Sequence, residues 1–207
     1  MLDTLAPTAP LLRARLGDPR VVIDMLSRNG ALLDGHFELL GGQHSNHFLK
    51  FSRIASDTRD LDAIGDWLTP TVAAWRPDAV LAPSTAGVAL AWTLARNLGV
   101  PLQLSSVDEN GRPSELLDAS TAGKSLLLVN DVVTTGTGMA ALAACAAGAG
   151  ATVAGAAWFA SRAEVDVAAL IAAPAVCIAQ LDLCNWLQQE CPLCRDGEPV
   201  EPAQDLN

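Results

Sequence analysis

Residues 126–138 hold the side chains best suited to chemistry in this chain of 207 residues. Four apolar residues come first, Asn130 and Asp131 follow, and a turn rich in threonine and glycine spans 134–138. The apolar run predicts a buried parallel strand, and polar groups at its carboxyl end stand where open α/β sheets bind ligands. Backbone amides and hydroxyls in such a turn, followed by a helix N-terminus, can hold an anion. The segment therefore predicts a phosphate site.

The elements around this segment predict how it is positioned. From residue 77 onward, apolar runs alternate with helical periodicity, which predicts an α/β fold with a mainly parallel twisted sheet flanked by helices. The predicted elements are strand 79–82, helix 88–98, strand 100–104, a polar loop 105–123, the strand before Asn130, helix 138–148 and strand 151–159. Nearer the N-terminus the pattern predicts helix 19–28, a hairpin-like pair between 36 and 51, and helix 58–75.

Charge and length narrow the possible functions. The net charge of −10 argues against binding to nucleic acid or to anionic membranes, because both need a basic face. Residues 138–160 carry no charge, but Gly148 and Gly150 predict a buried helix, turn and strand rather than a membrane span. The N-terminus lacks a basic region followed by an apolar run, so we expect no signal peptide and a cytoplasmic location. The length predicts one domain.

Segment 126–138 resembles the signature of type I phosphoribosyltransferases, enzymes that use 5-phosphoribosyl 1-diphosphate (PRPP). The resemblance implies their fold, a small hood over the core, and Mg²⁺ bound with PRPP. In the family an acidic pair holds the ribose hydroxyls and the turn holds the 5′-phosphate. The implied ribose 5-phosphate site is Asn130, Asp131, Thr134, Thr135, Gly136, Thr137 and Gly138, with Asp131 also catalytic. Asn130 replaces an acid of the family, which keeps hydrogen bonding and removes a charge.

Four other places resemble orotate phosphoribosyltransferases, and together they span about residues 31–200. Residues 35–49 are similar to the family's hood segment, which ends in an aromatic residue at the position of Phe48. Residues 83–87 lie where the family binds pyrophosphate, which implies Ser84, Thr85, Ala86 and Gly87 as pyrophosphate ligands. Arg162 follows the last predicted strand, where orotate enzymes place an arginine against the carboxylate of the base, an anion that suits a guanidinium fork. The fourth is the tail at 190–200.

This resemblance implies an arrangement and an activity for the whole chain. The implied base pocket contains Phe48, Thr134 and Arg162. Within one domain, a hood would cover about 31–56, the core about 77–180 and a cysteine-containing tail about 184–200. The implied reaction moves ribose 5-phosphate from PRPP to a planar, anionic nucleobase and releases pyrophosphate. Relatives commonly complete the site across a homodimer.

Residues 105–118 depart from the family's pattern. They stand at the family's mobile catalytic loop, which carries several lysines and arginines, but here the one cation is Arg112 and four residues are acidic. Arg112 falls near the catalytic lysine of relatives, whereas Asp108 stands where relatives have an arginine. Outside this loop, Leu40 takes a position that is Lys, Ser or Thr in relatives. Because cations stabilise a departing pyrophosphate, two alternatives stay open. The chain could bind nucleotide or PRPP as a sensor or scaffold, or it could act on ribose 5-phosphates that have no pyrophosphate leaving group.

The cysteines raise the question of a metal. Cys191 and Cys194 have the spacing of a metal knuckle, and Cys184 lies seven residues upstream. A tetrahedral zinc site needs a fourth ligand, no second pair of comparable quality is visible, and the three histidines all lie between 36 and 47. The sequence therefore favours reduced thiols over a structural zinc held by these cysteines. Cys145 and Cys177 fall in apolar segments and are predicted to lie in the core.

Overall fold

The computed structural model describes residues 11–14, 16–39, 41–109, 111–117 and 121–203. The strands are β1 (Leu11–Ala14), β2 (Leu32–Glu38), β3 (Gln43–Leu49), β4 (Ala79–Pro83), β5 (Leu102–Val107), β6 (Pro113–Leu116), β7 (Ser125–Val133), β8 (Thr152–Ser161), β9 (Ala175–Asp182), β10 (Trp186–Leu187) and β11 (Glu201–Pro202). The helices are α1 (Pro19–Arg28), α2 (Phe51–Ala55), α3 (Thr58–Ala73), α4 (Val88–Leu98), α5 (Thr137–Gly148), α6 (Val167–Ile171) and α7 (Pro192–Arg195), with a 3₁₀ turn at Gln188–Glu190.

Within the described residues, the larger sheet has seven strands in the order β1-β9-β8-β7-β4-β5-β6. The five inner strands run parallel, and β1 and β6 close the two edges in antiparallel pairing. This arrangement confirms the predicted α/β class and its mainly parallel sheet. Strand β7 stands at the centre, so its carboxyl end opens between β4 and β8.

Strand β7 is buried on both faces, as its apolar run predicts. Leu127 and Val129 pack into the core on the side of α3 and α4. Leu126 and Leu128 point the other way, into the core formed with α5 and α6. Successive side chains of a strand alternate between faces, so four apolar residues in a row require helices on both sides.

A second sheet forms the hood, with strand order β10-β3-β2-β11. The β2–β3 hairpin confirms the predicted pair, and a β-bulge places Gly35 and His36 opposite Asn46. Strands β10 and β11 come from the tail and flank the hairpin on either edge. The buried apolar core of this hood contains Phe37, Leu39, Phe48 and Ala203, which is small for a sheet of four strands.

One region differs from the sequence-based prediction, and a second region agrees with it. The predicted polar loop at 105–123 contains a β-hairpin, because β5 extends to Val107 and β6 pairs with it. An edge hairpin with many polar side chains has a sequence pattern like that of a loop, which is why the sequence did not predict it. The uncharged stretch 138–160 is α5 followed by β8, as predicted. In the part of the chain that the structure describes, no helix has the length and apolar character needed to cross a membrane.

Candidate active site

A pocket of about 110 Å³ lies at the carboxyl end of β7, under the hood. Asp131, Val132 and Thr134 form its floor, and Arg162, which follows β8, forms one wall. The hood and tail supply the remaining walls, which are Leu39, Phe48, Leu49 and Ala203. The three residues that the sequence assigned to a base pocket, Phe48, Thr134 and Arg162, therefore lie together and beside Asp131. The volume is small compared with the roughly 300–1,000 Å³ of common ligand pockets, so it suits a single ring.

Asp131 is a half-buried carboxylate without a cation. Burial raises its pKa above the ordinary aspartate value, although the amides of Val132 and of Asp131 itself act in the opposite direction. No lysine or arginine of the described residues lies within ion-pair distance of it. Asn130 lies beside it and accepts a hydrogen bond from the Asp131 amide at 3.0 Å. A carboxylate that has lost water and gained no cation is suited to receive hydroxyl donors or a metal ion.

The turn 134–138 leads from β7 into the N-terminus of α5. Gly136 is the residue before the helix and has a φ of +82°, which few other residues adopt. A Cβ at Gly136 would lie 2.5 Å from Leu170 Cδ1, the end of an exposed side chain that can move aside, so the need for glycine rests on the positive φ. Thr135 and Thr137 hold each other through a 3.0 Å hydroxyl contact, and the space where Gly138 would carry a Cβ is open. Free helix amides, hydroxyls and open space together fit a phosphate.

The loop 84–87 approaches the end of β7 closely. The amides of Ser84, Thr85 and Val88 donate to backbone carbonyls. The amides of Ala86 and Gly87 make no such bond to the residues that the structure describes, so they are the donors this loop can offer a ligand. Gly87 is buried, and a Cβ there would lie 3.1 Å from both Asn130 Oδ1 and the Asp131 amide nitrogen. The predicted pyrophosphate and ribose segments are therefore neighbours, and their contact depends on a glycine.

Replacing this glycine tests the contact. In Gly87→Ala we expect the loop to move away from Asn130, because the new methyl group would press on backbone and overpacking typically costs about 1–3 kcal/mol. PRPP affinity, measured calorimetrically with Mg²⁺, should fall about tenfold. The control is Gly148→Ala, which has nothing within 4 Å of the added Cβ and should bind PRPP like the wild type. Unchanged affinity in Gly87→Ala would show that the close approach has no role in binding.

Arg162 is a buried cation with an incomplete set of partners. It is 2% exposed, and burial lowers the pKa of its guanidinium to about 10. Its Nη2 donates to Ser45 Oγ at 2.7 Å and to the His47 carbonyl at 2.9 Å, and Asn185 Oδ1 lies 3.4 Å from Nε. These partners are neutral, and among the described residues no carboxylate forms an ion pair with Arg162 and no hydrogen bond engages Nη1. A buried, unpaired charge is costly, so this geometry favours an anionic ligand in the pocket.

Arg112 does not line this pocket. It is part of the turn of the β5–β6 hairpin, where its amide donates to Asp108 Oδ1 at 2.9 Å. Strand β6 packs beside α5. The sequence placed Arg112 among the catalytic residues, and among the described residues it is not one of those that surround Asp131 in the pocket. A related prediction concerns Leu40, which lies outside the described residues.

Four pocket residues were not found from the sequence: Leu39, Leu49, Val132 and Ala203. Val132 and Leu49 are each adjacent in sequence to a predicted site residue, and that adjacency was the available signal, whereas strict alternation along a strand would place them on the opposite face. Ala203 had none, because it reaches the pocket only through the pairing of β11 with β2. Ser45 and Asn185, which orient Arg162, likewise come from distant segments.

The structure corrects the predicted grouping of the cysteines. Cys184 is exposed, and its sulfur is not part of the group formed by Cys191 and Cys194. Those two instead face His36 and His44, the histidines that the sequence left aside. Cys145 and Cys177 are half-buried rather than fully in the core.

Known proteins share this architecture and these segments. Residues 54–169, more than half of the chain, match the family model described as a phosphoribosyl transferase domain. This chain belongs to the phosphoribosyltransferase family. Orotate phosphoribosyltransferase of Thermus thermophilus is 31% identical over 183 residues, which cover 87% of this chain and 98% of that protein. The corresponding protein of Heliobacterium modesticaldum is 27% identical, over 86% of this chain and 94% of that one.

A solved structure agrees with the family assignment. The crystal structure of orotate phosphoribosyltransferase from Aeropyrum pernix superposes with a TM-score of 0.64 and is 27% identical. The superposition covers 77% of this phosphoribosyltransferase and 93% of that chain. The type I phosphoribosyltransferase fold predicted from segment 126–138 is confirmed.

Proposed function

We propose that this phosphoribosyltransferase transfers ribose 5-phosphate from PRPP to orotate, or to another planar nucleobase that carries a carboxylate. The observation that carries the proposal is Arg162, a buried cation that lacks a carboxylate partner among the described residues and lines one pocket with Asp131 and Thr134. A base in that pocket would have its carboxylate against a guanidinium and its ring beside Phe48. Curated relatives named orotate phosphoribosyltransferase support the same substrate.

The proposed placement of PRPP follows the order of the segments. The 5′-phosphate lies at the turn 134–138, and the ribose hydroxyls meet Asn130 and Asp131. Pyrophosphate lies toward the amides of Ala86 and Gly87, which approach Asn130 in the structure. This placement leaves C1 of the ribose facing the base pocket. The hood, core and tail would then all contribute to one site and form a single catalytic domain.

The proposed reaction exchanges one bond at C1 for another. The bond from C1 to the pyrophosphate oxygen breaks with its electron pair on pyrophosphate. A ring nitrogen of the base forms the new bond to C1 and gives up its proton to water or to the departing pyrophosphate. The half-buried Asp131 carboxylate lies where positive charge develops on the ribose. Mg²⁺ bound with PRPP would neutralise the leaving pyrophosphate, and the carboxylate oxygens of Asp131, together with the amide oxygen of Asn130, fit the oxygen ligands this ion prefers.

Arg112 keeps a proposed catalytic role. Because Arg112 does not line the pocket with Asp131, we propose that it reaches the pyrophosphate when the hairpin moves or in the site of a second subunit. A homodimer that exchanges these hairpins is therefore part of the proposal. Because the residues around Arg112 are acidic, Mg²⁺ and backbone amides would neutralise more of the negative charge of pyrophosphate here than the cations of the loop do.

A panel of bases tests the activity. The purified protein is incubated with PRPP, Mg²⁺ and either orotate, uracil, adenine or hypoxanthine, while pyrophosphate and nucleotide are both measured. We expect equal amounts of pyrophosphate and orotidine 5′-monophosphate with orotate, and little product with the bases that lack a carboxylate. Tight nucleotide binding without turnover of any base would refute the transferase and favour a sensor. Preference for a purine would refute the role of Arg162.

A further inference from the structure

Four side chains that the active site does not use converge between the hood and the tail. They are His36 of β2, His44 of β3, and Cys191 and Cys194 of the tail turn that includes α7. One ligand atom from each lies within 4.8 Å of the other three. His36, His44 and Cys191 are at most 5% exposed, so the group is enclosed.

Hydrogen bonding alone does not account for this convergence. His36 Nε2 lies 2.8 Å from His44 Nδ1, 3.5 Å from Cys191 Sγ and 3.6 Å from Cys194 Sγ. A neutral ring nitrogen has either one N–H or one lone pair in its plane, so it makes one good hydrogen bond and not three. Cys194 Sγ also lies 3.3 Å from His44 Nδ1. Two imidazole nitrogens and two sulfurs that all face one point are arranged as they would be around a shared cation.

We propose that His36, His44, Cys191 and Cys194 bind a structural zinc ion. Zinc in proteins takes four tetrahedral nitrogen and sulfur ligands at about 2.0–2.3 Å, which places neighbouring sulfur and nitrogen ligands about 3.6 Å apart. The observed sulfur to nitrogen distances of 3.3, 3.5 and 3.6 Å match that spacing. The two nitrogens need to separate by only about half an ångström to reach the tetrahedral distance of about 3.3 Å.

A hydrogen bond to the backbone fixes the tautomer of His36 that a zinc ligand needs. His36 Nδ1 lies 2.9 Å from the Glu198 carbonyl oxygen, which can only accept a hydrogen bond. Nδ1 therefore carries the proton, and the lone pair of Nε2 faces the cluster. Histidine ligands of zinc are commonly oriented by such a carbonyl. Glu198 belongs to the same tail as the two cysteines, so the tail supplies both ligands and the group that orients a third.

A bound zinc ion would stabilise the hood, whose apolar core is small. Among the described residues of the hood, four buried apolar side chains form its core, and a sheet with so little apolar burial gains little stability from packing. The proposed ion lies between the central hairpin and the tail segment that joins β10 to β11, the two edge strands. It would therefore fix both edges, and through β11 it would hold Ala203 in the wall of the active-site pocket.

Metal analysis of the full chain tests this proposal without relying on activity. We expect protein purified from zinc-supplemented medium to hold one zinc ion per chain. After removal of zinc, Co²⁺ should give the visible absorption of a tetrahedral ion together with a thiolate-to-metal charge-transfer band. Protein that contains no zinc and binds neither Zn²⁺ nor Co²⁺ in competition with a chromophoric chelator would overturn the proposal.

Cysteine variants identify the ligands. Cys191→Ser and Cys194→Ser should each lower zinc affinity by at least about 100-fold, more than the 10–100-fold typical of losing an outer contact. Cys184→Ser is the matched control, because Cys184 lies in the same tail but is exposed and outside the cluster. It should keep zinc, the cobalt spectrum and the melting temperature of the wild type. Equal loss of zinc in Cys184→Ser would overturn the assignment. If a ligand variant does not fold, the cobalt spectra of wild type and Cys184→Ser still decide the outcome.

Discussion

We expect Asp131→Ala to lower the affinity for PRPP by at least about 100-fold. Hydrogen bonds to a charged group contribute about 1.5–3 kcal/mol each, and the proposed placement uses Asp131 for ribose hydroxyls and for the ion that accompanies PRPP. Calorimetric titration of PRPP in the presence of Mg²⁺ measures the effect. Asp62→Ala is the control, because Asp62 is an exposed carboxylate on α3 that pairs with Arg96. Retained affinity in Asp131→Ala would mean that segment 126–138 has only a structural role.

The pH dependence separates loss of binding from loss of folding. Because burial raises the pKa of Asp131, PRPP affinity should fall with decreasing pH before the ordinary aspartate range is reached. The stability of the ligand-free fold changes with pH in the opposite direction. It falls as pH rises, because the folded protein binds this proton more tightly than the unfolded chain does. Asp131→Asn should therefore bind PRPP poorly yet be at least as stable as the wild type at neutral pH. A lower melting temperature in that variant would contradict the electrostatic description of the site.

Arg162→Gln should lower kcat/KM for orotate by about 10–100-fold. The base carboxylate would lose a charge-assisted pair in a site shielded from water, a contribution of about 1.5–3 kcal/mol. Arg162→Lys keeps the charge without the planar fork, so it should recover only part of the activity. Initial rates at varied orotate and fixed PRPP measure the effect, while calorimetric affinity for PRPP should change little. Arg96→Gln, an exposed arginine over Trp92, is the matched control.

The titration of Arg162 adds a second expectation. Its pKa of about 10 lies below that of a free guanidinium because burial disfavours the charged form. Use of orotate should therefore fall as pH rises through about 10, and this fall should be absent in Arg162→Gln. An Arg162→Gln variant that uses orotate as well as the wild type would remove the main support for an anionic base.

Local pattern was sufficient to predict the phosphate side of the site. In β7 and the turn after it, buried strand, polar end, threonines and glycines follow one another in sequence, so a single segment contains both the structure and its ligand groups. The placement of Arg162 beside Phe48 and Thr134 also followed from the sequence, through the family resemblance. Its burial and its lack of a carboxylate partner did not, because they depend on Ser45, His47 and Asn185 meeting it from two other segments.

The hood and tail show why other features could not be predicted. His36 and Cys191 are 155 residues apart, and their meeting depends on β10 and β11 adding to opposite edges of the hairpin. The sequence indicates a cysteine pair and a group of histidines, but no local rule joins them. The β-bulge at Gly35 and His36 is equally hidden, since it shifts which side chains of β2 face inward. Ala203 enters the pocket by the same long-range pairing.

The loop at 105–118 shows what sequence and structure each contribute on the shortage of cations. In sequence it indicates an impaired pyrophosphate site. In the structure the same residues include an edge hairpin that packs beside α5, with Arg112 in its turn. None of its described residues lines the pocket with Asp131, so a weaker hold on pyrophosphate stays a prediction.

The most direct test of the account compares the affinities of two nucleotides that differ by one carboxylate. Orotidine 5′-monophosphate and uridine 5′-monophosphate share the ribose 5-phosphate that 130–138 is proposed to hold, and only the first has an anion to place against Arg162. Calorimetry on the wild type should show orotidine 5′-monophosphate binding about 10–100-fold more tightly, which corresponds to one charge-assisted interaction. Equal affinity for the two nucleotides would contradict the claim that Arg162 is the receptor for the base.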